Sequence, residues 1–209
     1  MVVALVLILS YLLGSLSGSL LLGRLRGVDI RTLGSGNAGG TNALRTQGLK
    51  FGLATVLVDV GKGAIAAALA RAFVADDAWQ WACVMAAMAG HVWPVFHGFR
   101  GGKGAATLVG GLAVLWPLAL VPVIGTWLAA MLVGGYVGLA TVLAGLGLPL
   151  VAWIQDAAPP RLGFALAAAL LLVYTHRGNL ARLRAGTEPR ANRARVLGRW
   201  WDARGRPRL

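Results

Sequence analysis

Residues 105–155 read AATLVGGLAVLWPLALVPVIGTWLAAMLVGGYVGLATVLAGLGLPLVAWIQ, 51 residues without a charged side chain. A membrane-spanning helix needs about 20 apolar residues, so this run is too long for one crossing and has room for three helices of about 17 residues each. Glycines and prolines such as Pro117, Gly134 and Gly135 supply breaks between them. Lipid tolerates such breaks where neighbouring helices satisfy the freed backbone groups.

Four further apolar segments flank this run, at Val2–Gly23, Phe51–Val74, Trp79–Phe96 and Leu162–Tyr174. Hydrophobic residues make up 57% of the 209-residue chain and charged residues only 13%, against about 25% charged residues in a soluble domain. We therefore expect an all-α integral membrane protein. The first segment is followed by arginines, and we find no persuasive cleavage site after it. We therefore interpret it as a retained helix rather than a signal peptide.

The basic residues are concentrated in three stretches that adjoin apolar segments. Of the 20 lysines and arginines, 17 lie in residues 24–50, at Arg100 and Lys103, and in residues 177–208. The positive-inside rule assigns all three stretches to the cytoplasm. The acidic turns at Asp76–Asp77 and Asp156–Pro160 then lie outside, and residues 105–155 must cross the membrane an odd number of times.

This parity predicts seven transmembrane helices, some short or broken, with the N-terminus outside and the C-terminus cytoplasmic. We expect one membrane-embedded domain over residues 1–209, in which residues 176–209 form a cytoplasmic motif and a basic tail. Membrane lipids are the expected partner of the net charge of +13. Nucleic acid is not expected to bind, because no aromatic residues alternate with the basic ones.

The first polar connection contains RTLGSGNAGGTNALRTQG, from Arg31 to Gly48. Glycines allow successive backbone N–H groups to converge on an anion, and nearby hydroxyl, amide and guanidinium groups add donors. No carboxylate occurs from Ile30 to Val58. We interpret the segment as an oxyanion site, most simply for phosphate, and keep a flexible linker as the alternative.

The second motif is GHVWPVFHGFRGGKGAAT, from Gly90 to Thr107. Glycines surround Lys103 at a helix start, where free N–H groups and the helix dipole favour an anion. The segment is not a nucleotide P-loop, because His97 and Gly104 occupy positions that require glycine and serine or threonine. Taken alone, it also fits a basic turn, and we expect His91 to be a satisfied core histidine.

The third motif is THRGNLARLRAGTEP, from Thr175 to Pro189. Because His176, Asn179 and Arg182 recur every three residues, they lie along one side of a helix. Glu188 is expected to be a structural partner for arginines, and an ordinary surface helix is the alternative for the whole segment.

The remaining candidate residues are two charged residues within an apolar segment and the residue types that bind metals. Asp59 and Lys62 are three residues apart on an apolar helix, where they are expected to pair or to face the bundle interior. We assign them a structural role and keep a direct catalytic role as the alternative. Cys83 lies in an apolar run and is interpreted as a small core residue. Three scattered histidines and one cysteine predict no metal site.

Together the three motifs resemble the bacterial acyl-phosphate-dependent glycerol-3-phosphate acyltransferases, the PlsY family, over nearly the full chain. The resemblance implies transfer of a fatty acyl group from acyl phosphate to the 1-hydroxyl of glycerol 3-phosphate, without a cofactor. Lysophosphatidic acid and phosphate are the implied products, and the soluble enzyme that makes acyl phosphate is an implied partner. It also implies the bacterial cytoplasmic membrane, with the active site facing the cytoplasm. The chain departs from the family pattern at Gly40, where alanine is usual, and lacks a proline near Leu20 or Leu21.

The resemblance also implies roles for individual residues. The acyl phosphate group would be held by Ser35, Gly36, Asn37 and Thr41. Glycerol 3-phosphate would be held by Arg45, Lys103, His176 and Asn179, in a loop shaped by Gly101, Gly102 and Gly104. Asn42 and Arg182 complete the substrate-binding set, and the expected catalytic residues are Ser35, Arg45, Lys103, His176 and Asn179. Direct attack is favoured, with the substrate phosphate or His176 accepting the hydroxyl proton.

Two other functions are the alternatives to this assignment. Acyl-CoA-dependent acyltransferases carry an aspartate five residues after a histidine, but Phe96, Gly102 and Ala181 follow the three histidines here. A small transporter or binding protein for phosphorylated metabolites or lipids could also combine broken helices with anion sites. Transport sites lie near the membrane midplane, whereas all three motifs here lie at the ends of apolar segments.

Overall fold

The computed structural model describes residues 1–204, which form helices and connecting turns, and no strand occurs among them. The all-α prediction is therefore confirmed for this part of the chain. The helices are α1 (Val2–Ser15), α2 (Gly18–Leu25), α3 (Gly40–Gln47), α4 (Leu49–Phe73), α5 (Asp77–Val92), α6 (Ala105–Leu115), α7 (Leu120–Gly134), α8 (Val137–Ile154), α9 (Pro159–Thr175), α10 (Arg177–Arg184) and α11 (Val196–Arg204). Residues 205–209, with two arginines of the predicted basic tail, lie outside the described part.

In the described part of the chain, three helical stretches are long and apolar enough to cross a membrane: α4, α7 with the turn before it, and α8. The consecutive helices α1 and α2 would make a fourth span, although they are bent by 49°. Two shorter apolar helices, α6 and α9, contain 11 and 17 residues. The count of seven spans and the orientation of the termini stay predictions.

The first apolar segment differs from the single helix expected over Val2–Gly23. It breaks after Ser15, and polar side chains of α4 satisfy backbone groups at the break. Asp59 Oδ1 accepts a hydrogen bond from the N–H of Gly18 at 3.1 Å, and Lys62 Nζ donates to the carbonyl of Leu16 at 3.0 Å. The break is therefore stable because a buried ion pair supplies its hydrogen bonds.

The charge-free run over residues 105–155 contains three helices, α6, α7 and α8, as its length predicted. The first break falls at Trp116, before Pro117. The second falls at Gly135, where a φ of 74° places the residue in the left-handed region. A further proline of this run, Pro149, lies inside α8.

The chain divides into two compact units, and α9 begins in the first and ends in the second. The first unit comprises residues 1–117 and 157–164, and its helices approach closely through glycines. A methyl group on Gly14 of α1 would overlap the carbonyl of Ala87, and one on Gly63 of α4 would overlap that of Thr107. Small residues are typical where membrane helices pack backbone to backbone.

The second unit comprises residues 118–156 and the described residues from 165 onward. Within it α7 packs against α8, α10 packs against α8, and α11 packs against α7. A side chain at Gly138 of α8 would overlap Asn179 of α10. Glycine at this position therefore sets how closely the third motif approaches α8. The single domain expected over residues 1–209 stays a prediction.

Candidate active site

The first motif forms a loop between α2 and α3 that is organised around one buried side chain, Asn42. Its amide nitrogen donates to the carbonyls of Ile30, Leu33 and Asn37 at 3.1, 2.9 and 3.0 Å, and its Oδ1 accepts from the N–H of Ser35 at 2.9 Å. The amide of Asn42 thus shapes the loop from the inside. Its contact with substrate stays a prediction.

The remaining first-motif residues surround this scaffold. Gly34 and Gly36 have φ values of 55° and 70°, a conformation that favours glycine. Ser35 and Gly36 are exposed, and Asn37 is half-buried before α3. Thr41 is half-buried in the first turn of α3, and Arg45 is exposed in the last turn.

The second motif folds back onto the end of α5. Gly101 donates its N–H to the carbonyl of Val92 at 3.1 Å, and Gly102 donates to that of His91 at 3.0 Å. Side chains at these glycines would overlap the backbone or ring of His91, so close approach demands glycine here. Lys103 follows, half-buried, and Gly104 starts α6 with a φ of 88°.

The two loops meet within the first unit. The N–H of Ala38 lies 3.4 Å from the carbonyl oxygen of Gly101, and Ser19 Oγ donates to the carbonyl of Ala38 at 2.8 Å. The structure therefore brings the first and second motifs together. Two glycine-rich segments, each beside basic residues and a helix N-terminus, form one polar region.

Arg31 links the two loops. Its guanidinium donates to the carbonyl of His97 at 2.8 Å and pairs with Asp29 at 2.8 Å. The carboxylate of this pair lies just before the acid-free stretch. Hydrogen bonding from Arg31 lowers the pKa of Asp29 to about 2 and raises the pKa of Arg31.

His97 is buried, and its Nε2 has no hydrogen-bond partner among the described residues. Burial lowers the pKa of this imidazole, and the charges of Arg24 and Arg31 lower it further. The histidine is therefore held in its neutral form beside two arginines.

A buried network lies behind the second motif. Lys62 Nζ is 3.0 Å from Asp59 Oδ1 and 2.6 Å from His91 Nδ1. All three side chains are at most 4% exposed. The predicted pairing of Asp59 with Lys62 is present, and His91 is the buried, hydrogen-bonded histidine that was expected. Its link to the ion pair was missed, because 29 residues separate it from Lys62 and no local spacing signals the contact.

The third motif lies in the second unit and is held by one carboxylate. Glu188 is buried and accepts from Asn179 Nδ2 at 2.6 Å and from Arg182 Nε at 2.8 Å. The expected partnership of Glu188 with arginine is therefore present. Both donors of the predicted site are oriented by this acid.

His176 is buried one turn earlier, and its Nδ1 lies 2.8 Å from the carbonyl oxygen of Leu172. A carbonyl can only accept, so Nδ1 carries the hydrogen and Nε2 is the proton-accepting nitrogen of the neutral ring. Within residues 1–204, no three His, Cys, Asp or Glu side chains are close enough to bind a metal ion.

Apolar helices joined to glycine- and cation-rich loops define this chain as a membrane protein with a site for anionic ligands. The family model described as "Glycerol-3-phosphate acyltransferase" matches residues 4–186. The chain belongs to this family, whose enzymes acylate glycerol 3-phosphate in phospholipid synthesis.

Individual relatives match over most of their length. The glycerol-3-phosphate acyltransferase of Synechococcus sp. (strain CC9902) is 42% identical over 89% of this chain and 94% of its own. The glycerol-3-phosphate acyltransferase of Geobacter sulfurreducens is 39% identical over 87% of this chain and 93% of its own. The crystal structure of PlsY (YgiH) in its glycerol 3-phosphate form matches with a TM-score of 0.86 at 35% identity, over 90% of this chain and 94% of that one. The match to the crystal structure of its lysophosphatidic acid form covers 93% of this chain and 98% of that one.

Proposed function

We propose that this enzyme transfers a fatty acyl group from acyl phosphate to the 1-hydroxyl of glycerol 3-phosphate. The observation that carries the proposal is the contact between the two glycine-rich loops, since both substrates bear phosphate and the two loops offer adjoining anion sites. The forms in which PlsY has been crystallised, with glycerol 3-phosphate and with lysophosphatidic acid, support the same acceptor and product.

The proposed residue roles follow the two loops. The first loop holds acyl phosphate through Ser35, Gly36, Asn37 and Thr41. The second loop, through Lys103 and its glycines, holds glycerol 3-phosphate with Arg45, His176 and Asn179. This division requires the third motif to reach the same substrates, and Glu188 orients two of its donors for that task.

The reaction needs positioning more than activation. The 1-hydroxyl oxygen attacks the carbonyl carbon of acyl phosphate, an ester bond forms, and the bond from the acyl carbon to the phosphate oxygen breaks. Because acyl phosphate is a mixed anhydride, phosphate is already a good leaving group, and orientation can supply much of the rate. The hydroxyl proton passes to the substrate phosphate or to Nε2 of His176.

The proposed membrane arrangement has seven spans in the bacterial cytoplasmic membrane, with the active site facing the cytoplasm. The spans are the broken α1–α2 pair and helices α4 to α9. The 11 residues of α6 extend only about 16 Å, against a hydrocarbon core of about 30 Å. The arrangement therefore requires a connecting loop at an end of α6 to lie within the hydrocarbon layer, where neighbouring protein satisfies its backbone groups. A soluble enzyme that makes acyl phosphate is the proposed supplier on this side.

A donor-comparison assay tests the proposal. Purified protein should convert labelled glycerol 3-phosphate to lysophosphatidic acid with palmitoyl phosphate, release one phosphate per product, and stay active after thorough chelation. Equal turnover with palmitoyl-CoA, or loss of activity on chelation that added metal restores, would contradict the proposed chemistry. A Lys103→Met variant is the matched control for activity from a contaminating enzyme.

A further inference from the structure

The chain continues beyond the part that matches the family, and this continuation packs on the end of α7. The family match ends at residue 186, whereas the described chain runs on through α11. The N–H of Ala191 donates to the carbonyl of Gly135 at 2.8 Å, and Arg195 Nε donates to that of Val133 at 3.1 Å. The last carbonyls of a helix lack partners inside the helix, so these bonds fasten the continuation to the end of α7.

Helix α11 has two faces of opposite character. A side chain at Gly198 would overlap the carbonyl of Val133, so this position faces α7. At about 100° per residue, four apolar side chains fall within about 140° on the other side. They are Val196, Leu197, Trp200 and Trp201, which are 51, 52, 49 and 74% exposed.

The surroundings of this face point to lipid. Only 17% of the spanning stretch that ends in α7 is buried within the protein, so most of α7 presents apolar surface to its surroundings. A helix fastened to the end of such a span lies at the boundary between hydrocarbon and water. Tryptophan is enriched at that boundary, where its ring meets both the headgroups and the acyl chains.

The charge of the segment selects the kind of lipid. Residues 190–204 contain five arginines and one aspartate. Arg190 stacks on the ring of Tyr136 at 4.7 Å, which holds part of this charge beside the end of α7. Clustered arginine beside a membrane span attracts anionic headgroups, whose phosphates accept its hydrogen bonds.

We propose that α11 is an interfacial helix that docks on an anionic lipid surface, with its two tryptophans among the headgroups and with Arg199 and the preceding Arg193 on their phosphates. The proposal goes beyond the acyl-transfer reaction, because no residue of α11 belongs to the proposed active site. A protein partner or a second copy of the chain could also cover an apolar face. The arginine content favours lipid phosphate, and the experiment distinguishes a lipid surface from a second copy of the chain.

The test uses the full chain in a Cys83→Ala background, with Leu197→Cys carrying an NBD fluorophore. The protein is placed in nanodiscs of phosphatidylcholine, with or without phosphatidylglycerol, and the fraction of label protected from dithionite is measured. Protection should be greater with phosphatidylglycerol and should decline with added salt. Neutralising Arg193 or Arg199 to glutamine should lower the ratio of protected to accessible label about fivefold each.

The matched controls separate lipid docking from misfolding and self-association. The Arg193→Gln and Arg199→Gln variants should keep full acyltransferase activity, and a label at Thr187→Cys should show no lipid dependence. Equal accessibility of the Leu197 label in both lipids would overturn the proposal. So would protection that appears in detergent and rises with protein concentration, since a second copy would then cover the face.

Discussion

At the scale of single residues, Lys103 and Ser35 should divide the two substrates between them. Replacing Lys103 with Met removes a point charge from one phosphate, so the KM for glycerol 3-phosphate should rise. Replacing Ser35 with Ala should chiefly lower kcat, because its hydroxyl orients the acyl phosphate. Charge-assisted hydrogen bonds contribute roughly 1.5–3 kcal/mol, so each change should cost one to two decades in kcat/KM. Steady-state kinetics with each substrate varied in turn measures both effects, and the opposite pattern would reverse the assignment.

The buried ion pair gives a second residue-scale prediction. Asp59→Asn leaves Lys62 buried without its counter-charge, which should lower the free energy of unfolding by about 3–5 kcal/mol. The double variant Asp59→Asn with Lys62→Met removes both charges, keeps an acceptor for the N–H of Gly18, and should recover part of that loss. Thermal unfolding followed by tryptophan fluorescence measures stability. If the double variant is no more stable than Asp59→Asn, the loss does not come from an unpaired charge.

The same double variant separates a structural from a positioning role of the network. His91 contacts Lys62 on one side and supports Gly101 and Gly102 on the other. If the network only stabilises the fold, a double variant with restored stability should have restored kcat and KM. If the network also positions the loop of the second motif, the double variant should keep a KM for glycerol 3-phosphate above that of the wild-type protein.

His97 predicts a pH dependence of stability. Its pKa is lower in the folded protein than its ordinary value near 6.5, so the unfolded chain binds the proton more readily. The stability that the neutral imidazole of His97 contributes is complete above about pH 6.5. It is lost as the pH falls from there through the pKa of His97 in the folded protein. The unfolding midpoint should therefore fall on acidification in the wild-type protein and less steeply in His97→Phe. Equal slopes in the two proteins would assign the acid sensitivity to other groups.

Local sequence predicted the glycine loops and the Glu188 partnership, since these depend on residues close together in the chain. It did not predict that Arg31 and Asn42 would hold the loop together. Their hydrogen-bonding groups bind loop carbonyls and Asp29, and this is decided by how the loop closes. Residue type indicates that a donor is present, but only the fold determines which acceptor it meets.

At the scale of helices, two glycines of α4 provide a matched pair. A methyl group on Gly63 would overlap the carbonyl of Thr107 at the start of α6, whereas one on Gly61 would meet nothing within 4 Å. Gly63→Ala should therefore force α4 and α6 apart, which typically costs about 1–3 kcal/mol. Gly61→Ala should be neutral or stabilising, because alanine favours a helix.

Unfolding midpoints of the two alanine variants, measured in the same detergent, test this prediction. Because α6 begins directly after Gly104, Gly63→Ala should also lower the kcat/KM for glycerol 3-phosphate. Equal stability of the two variants would mean that the α4–α6 contact is softer than its geometry implies.

The number of helices was predicted correctly where the length of an apolar run determines it. The charge-free run over residues 105–155 contains three helices because 51 apolar residues exceed one span. The break between α1 and α2 was missed, since the groups that stabilise it lie more than 40 residues away on α4. A break stabilised by distant side chains leaves no pattern in its own segment.

At the scale of the whole molecule, composition identified a membrane protein, but the number of crossings depends on parity. If the three basic stretches lie on one face of the membrane and the two acidic turns on the other, as predicted, the number of spans between residues 104 and 156 must be odd. Three helices occur there, of which α7 and α8 belong to stretches long enough to span and α6 is shorter, so the odd number stays a prediction. The topology therefore has one decisive point, the side of the membrane on which the turn before α9 lies.

Single cysteines in a Cys83→Ala background should test the predicted topology in intact cells. Ser35→Cys, Arg100→Cys and Thr187→Cys should resist a membrane-impermeant thiol reagent until the cells are opened, because the positive-inside rule assigns them to the cytoplasm. Ala78→Cys and Ala158→Cys should react from outside. All five positions are exposed, so access to the reagent depends on the side of the membrane. If Ala158→Cys were protected while Arg100→Cys stayed cytoplasmic, residues 105–155 would cross an even number of times, and seven spans could not hold.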